Sequence, residues 1–148
     1  MVPLVVLVIS FLILRGLGWV GVAALNDVNL PLRIALCLMF LLTASAHWGK
    51  GRVDLIRMVP PMFPKAGLIV SVTGCLEILG AIGLVIPLTA RLAAVCLAIL
   101  LVALFPANVR AARMRLTILG RPVPSLIPRT VIQVIFISAL IVVASRVH

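Results

Sequence analysis

Five apolar runs, each near the length an α-helix needs to cross a bilayer, take up most of the 148-residue chain and leave little room for any other fold. A hydrocarbon core of ~30 Å asks for about 20 largely apolar residues at ~1.5 Å each. The first run extends from Val2 to Leu25 with Arg15 as its only charge, and the others place spans near 31–48, 67–87, 90–109 and 127–146. Hydrophobic residues make up 64% of the sequence and charged residues 11%, so one soluble core could not hide the apolar surface. The expected fold is all-α: a polytopic membrane helical bundle in a single domain covering 1–148.

The breaks between runs carry their own signals. Asn26 to Pro31 is a polar interruption around Asp27, and the uncharged stretch that follows, 34–49, is short enough that crossing would need Arg33 to snorkel. Pro60, Pro61 and Pro64 forbid a continuous helix through the loop from Gly49 to Pro64. Residues 87–91 predict a tight antiparallel hairpin. Asn108 to Arg121 reads as an interfacial helix, followed by a turn broken at Pro122, Pro124 and Pro128. Met1 to Leu14 lacks the basic start of a signal peptide, so the first run is expected to remain as a helix.

Thirteen Lys and Arg against three acids give a formal charge of +10, which in a soluble protein would suggest nucleic acid. Here the basic residues occupy connections between apolar runs, so the partner they imply is the lipid bilayer and not nucleic acid. In a five-span arrangement Lys50, Arg52, Arg57, Lys65, Arg110, Arg113, Arg115, Arg121 and Arg129 share one face, against Arg33, Arg91 and Arg146 on the other. The excess predicts a cytoplasmic N-terminus and an outside C-terminus in the cell (plasma) membrane. A four-span model that discarded the first run would place the nine-charge loops outside, so the charge bias supports counting that run as a helix.

Arg15 and Glu77 fall near the middle of runs 1 and 3. An unpaired charge there costs on the order of 2.5–3.5 kcal/mol, so the two are expected to pair inside the bundle. Such a pair is either architectural, or Glu77 is a protonatable group lining a site for a small redox or lipid-like ligand. Gly74, Glu77, Gly80 and Gly83 form a stripe on one helix side, along which a neighbour can come close.

His47 follows Thr43 by four residues and lies near the cytoplasmic end of its run. It is either a headgroup-level hydrogen-bonder or a contact for quinone or protons. With His148 terminal there is no second imidazole for haem, and no metal centre is expected. Cys37, Cys75 and Cys96 occur singly in three runs and read as small core residues. Trp48 suits an interfacial anchor. Arg129 and Gln133 share a helix face, where they can meet phosphate headgroups or brace the preceding loop. No nucleotide-binding glycine pattern and no nucleophile with a nearby base is present, so no catalytic residue is assigned.

Ala-Ser-Ala-His-Trp at 44–48, Met-Val-Pro-Pro at 58–61, Leu-Glu-Ile-Leu-Gly at 76–80, Phe-Pro-Ala-Asn at 105–108 and Pro128-Arg129 followed by Gln133 occur in this order. With these motifs the chain resembles the DoxX family over roughly residues 31–145, with Trp48 where Phe is usual and an Ala in place of a Gly in the first motif. The resemblance implies a four-helix DoxX-like core with one added N-terminal transmembrane helix, in a bacterial inner membrane. It also implies an accessory or quinone-linked subunit of a membrane redox or oxidative-stress assembly, with quinone as cofactor and a soluble or membrane redox protein as partner. Its signature positions map to His47, Pro60, Glu77, Asn108 and Arg129. The competing reading is a non-enzymatic membrane scaffold or small-molecule permease, with Arg15 and Glu77 purely architectural.

Overall fold

The computed structural model describes residues 2–118, 120–122 and 124–146; His148 and the side chain of Arg121 lie outside what is described. Among the described residues seven α-helices carry the architecture: α1 (Val2–Trp19), α2 (Asn29–Ser45), α3 (Arg52–Met58), α4 (Ala66–Val85), α5 (Ala90–Ala103), α6 (Phe105–Arg113) and α7 (Leu126–Arg146). A small antiparallel ribbon, β1 (Thr117–Ile118) with β2 (Arg121–Pro122), lies between the last two helices. Four helical segments among the described residues are long and apolar enough to cross a membrane: α1, α4, α5 with its continuation α6, and α7. The apolar α2 has 17 residues and so spans about 26 Å at ~1.5 Å per residue.

Helix ends follow local chemistry. The residue before a proline is pushed out of the helical region; accordingly α3 stops at Val59 (ψ 128°) before Pro60, and α4 stops at Ile86 (ψ 119°) before Pro87. Pro106 has no N–H to offer the carbonyl four residues back, and α5 gives way to α6 there. The first apolar run stays helical only to Trp19, and the chain turns through Gly21, whose φ of 128° a side chain would disfavour.

α2, α4, α5 and α7 pack in a ring, α2 on α4, α4 on α5, α5 on α7 and α7 back on α2, while α1 leans on the outside of α2. Leu36, Met39, Phe40, Leu84, Leu97, Leu140 and Val143 fill the middle. The outer faces are apolar as well, with Leu12, Leu79, Leu92 and Ile99 each more than 60% exposed. Hydrogen bonds tie both ends. Asn29 Nδ2 donates to Arg146 O (3.4 Å) and Arg33 donates to Leu84 O (2.6 Å) and Val85 O (2.8 Å), which joins the start of α2 to the ends of α4 and α7. At the opposite end Arg110 Nε donates to Arg57 O (3.2 Å), joining α6 to α3. The helices α3 and α6 and their connections therefore gather most of the basic residues at one end of the bundle.

Several sequence expectations need correction. Arg33 does not snorkel: it is 7% exposed and caps the free carbonyls at the end of α4, whose partial negative charge attracts a cation. The proline-rich loop contains the helix α3, because its three prolines all lie beyond Met58. Of the cysteines only Cys37 is buried; Cys75 and Cys96 face outward among exposed apolar side chains.

The glycine stripe of α4 serves two neighbours. A Cβ at Gly74 would meet the His47 and Trp48 side chains at 2.7 Å, and one at Gly80 or Gly83 would meet Leu97 at 2.5 Å or the Ala93 Cβ at 2.9 Å. Ala93 has no rotamer with which to yield, so Gly83→Ala is expected to lower stability by roughly 1–3 kcal/mol. Gly16→Ala on α1, with nothing within 4 Å, is expected to be neutral or stabilising by about 0.5–1 kcal/mol. Thermal midpoints of the detergent-purified variants decide this, and a Gly83→Ala protein as stable as its parent would refute the close α4–α5 contact.

Candidate functional site

Four polar side chains are buried among the described residues: Arg33, His47, Glu77 and Gln133. Arg33 is spent on the α4 cap. The other three fall into two hydrogen-bonded groups, and the residues singled out from the motifs distribute between them.

The first group lies between α2 and α4. Thr43 Oγ1 is 2.8 Å from Glu77 Oε2 and 2.9 Å from Phe40 O. The Thr43 carbonyl is 3.3 Å from His47 Nδ1. One threonine therefore holds both candidate titratable residues, its hydroxyl meeting the carboxyl and its carbonyl meeting the imidazole. A carbonyl can only accept, so Nδ1 donates, and in the neutral ring Nε2 is left as a lone pair.

The hydroxyl counts protons too. It has one hydrogen, while the Phe40 carbonyl also accepts the helical bond from Ala44 N–H. Oγ1 can donate to Glu77 Oε2 or to Phe40 O, and both contacts are met at once when the carboxyl carries a proton and donates to Oγ1 in turn. No cation opposes this: among the described residues no basic side chain reaches Glu77, which is 5% exposed. The remaining oxygen, Oε1, makes no hydrogen bond there.

Arg15 and Glu77 are not brought together. Arg15 Nη1 donates to Leu25 O (2.9 Å) and Asn26 O (2.6 Å), and its guanidinium lies 5.6 Å from the centre of the Trp19 ring. The expectation placed Arg15 mid-run, yet α1 ends four residues later, so Arg15 belongs to the corner between α1 and α2. Gly18 completes that corner, since a Cβ there would lie 2.6 Å from Leu25 O.

Arg52 braces the other end of the first group. It donates to His47 O (2.9 Å), Gly67 O (3.0 Å) and Ser71 Oγ (3.0 Å), fixing the turn that carries His47 to the first turns of α4. The Trp48 ring lies 6.0 Å from the imidazole, tilted by 48°. Pro60 lies in the connection between α3 and α4, where its carbonyl accepts from Phe63 N (3.0 Å); it belongs to neither polar group.

The second group joins α6 and α7. Arg129 Nη2 donates to Asn108 Oδ1 (2.6 Å), Asn108 Nδ2 donates to Gln133 Oε1 (3.0 Å), and Gln133 Nε2 donates to Leu101 O (2.8 Å) just before the Pro106 break. Both ends of the Gln133 amide are used.

Thr43, Arg52 and the Leu101 carbonyl are the members that sequence reading missed as partners. Thr43 had a visible signal, its position one helical turn before His47. The pairing across to α4 had none.

The fold and the polar groups thus define a bundle of membrane-length apolar helices with a protonatable seam between two of them. The chain belongs to the family described as a domain of unknown function (DUF8561), which matches residues 36–147. The match runs from the middle of α2 to the end of α7 and leaves α1 outside. No curated protein and no solved structure matches the chain.

The proton count predicts unequal effects. Glu77→Gln keeps a donor for Thr43 Oγ1 and is expected to change stability by less than about 1 kcal/mol, while Thr43→Val leaves the buried carboxyl unpartnered and costs roughly 1–3 kcal/mol. Thermal unfolding in detergent measures both, and a larger loss for Glu77→Gln would show that the carboxyl is ionised.

Proposed function

We propose that the protein is a polytopic membrane protein whose Glu77–Thr43–His47 seam binds the head group of a quinone. In this reading it is an accessory, quinone-linked subunit of a membrane redox or oxidative-stress assembly in a bacterial inner membrane. The observation that carries it is an acid in the middle of α4 held by a threonine and opposed by no cation. Intramembrane ionisable groups are expensive and mark ligand or proton paths when no salt bridge explains them.

The seam offers two acceptors, Glu77 Oε1 and His47 Nε2, which suit a molecule presenting hydroxyl hydrogens, as a quinol does. The DoxX likeness points the same way and rests on the motifs alone, because the matched family carries no functional description. Membrane residence is supported by four apolar helices of sufficient length and by their apolar outer faces, larger than a soluble monomer exposes. The basic end formed by α3 and α6 faces the cytoplasm in this reading, available to anionic lipid or an acidic redox partner.

A scaffold or small-molecule permease is the second reading, favoured by the tight seating of His47 and Trp48 on Gly74. A lipid extract of the purified protein separates the two. The expected result is near-stoichiometric quinone in the parent and in Glu77→Gln, falling at least about tenfold in Glu77→Leu and His47→Leu, the loss of about 1.4 kcal/mol or more of binding. Glu77→Leu is expected to fold, since an apolar side chain of similar size can replace a buried charged or polar group. A quinone-free parent would leave the scaffold or permease.

Orientation is tested separately by accessibility of terminal tags in intact cells. The N-terminal tag is expected inside and the C-terminal tag outside; both on one side would end the five-crossing arrangement.

A further inference from the structure

We propose that the groove at the Pro106 break is a binding site for one anionic phospholipid, with an acyl chain along the groove and the phosphate on Arg129. The inference rests on the membrane reading above and is independent of the quinone reading. The groove, of about 380 Å³, runs between the α5–α6 junction and α7. Val102, Phe105 and Pro106 form one wall and Val134 and Ile137 the other, with Gln133 beneath.

Its chemistry selects a hydrocarbon chain. The Gln133 amide is consumed at both ends, by Asn108 and by Leu101 O, and the Thr130 hydroxyl donates to Leu126 O (2.9 Å). One amide hydrogen of Gln133 is the only polar hydrogen these two side chains leave over, too little to hold a sugar or a peptide backbone. The rims are outward-facing, with Val102 59% and Val134 56% exposed, so the groove opens toward the side from which a bilayer chain would enter.

Charge complementarity fixes the head group. Arg129 is one helical turn from Gln133 on the same face of α7 and at the basic end of the bundle. Only its Nη2 is engaged, on Asn108 Oδ1; Nε and Nη1 have no partner among the described residues, and no carboxylate pairs with it. Asn108 pins the guanidinium from one side and leaves those donors for a phosphate, which arginine binds through paired N–H groups. Arg113, in the last turn of α6, does not line the groove.

The test is native mass spectrometry of the full-length protein extracted from the membrane fraction, with phosphatidylglycerol or phosphatidylcholine of identical chains added. Retention of phosphatidylglycerol is expected to exceed phosphatidylcholine by roughly fivefold, the scale of one cation meeting an anionic lipid. Arg129→Gln should abolish that preference. Val134→Trp, which fills the groove from its exposed rim and leaves the polar group intact, should lower retention of both lipids, and Arg113→Gln should change neither.

Equal retention of the two lipids, an Arg113→Gln effect as large as that of Arg129→Gln, or no effect of Val134→Trp would each overturn the site. Recovery of the protein from the aqueous fraction without detergent would overturn the membrane reading as well, and is seen before any lipid is added.

Discussion

The backbone of α4 can be touched from two sides because Gly74, Gly80 and Gly83 carry no side chain, and that contact sets the rest of the structure. Helices surrounded by lipid gain little from hiding apolar surface from one another, so association depends on close van der Waals fit and on hydrogen bonds. Gly80 and Gly83 admit Leu97 and Ala93 of α5, while Gly74 seats the His47–Trp48 turn that follows α2. Glu77 falls between these contacts and faces Thr43. The carboxyl is thereby held at a fixed place in the seam, where bulkier neighbours on α4 would have pushed α2 away from it.

A second feature follows from the shortage of acids. Thirteen cations and three carboxylates cannot form a network of salt bridges, and the arginines turn to main-chain carbonyls instead. Arg15 holds the corner after α1, Arg33 closes the end of α4, Arg52 holds the turn at His47, and Arg110 reaches the carbonyl of Arg57. Helix C-termini and turns offer carbonyls without donors, and these carry partial negative charge. The same cations that bias the ends of the bundle therefore also fasten its connections.

The two polar groups differ in what they leave open. In the seam, Thr43 is saturated while Glu77 Oε1 and His47 Nε2 remain available as acceptors. At the Pro106 break, Asn108 bridges Arg129 and Gln133, and Arg129 is left with donors. On the proposed readings, one group would suit a ligand that brings hydrogens and the other a ligand that brings negative oxygens.

The apolar runs, the proline stops and the basic connections were legible in the residues alone, because hydrocarbon length, missing N–H groups and charge act locally along the chain. So was the position of Glu77 as a lone acid within an apolar run, and the face shared by Arg129 and Gln133. The partner of Glu77 was not legible. Charge balance pointed to Arg15, yet α1 ends too soon after Arg15 for it to lie at mid-depth, and the α1–α2 corner offered two carbonyls closer at hand. Which side chain meets which across helices depends on the rotation and depth of each one in the bundle. Those were decided by where glycine lets backbones approach, and so only the packed structure could place Thr43 against Glu77 and Asn108 between Arg129 and Gln133.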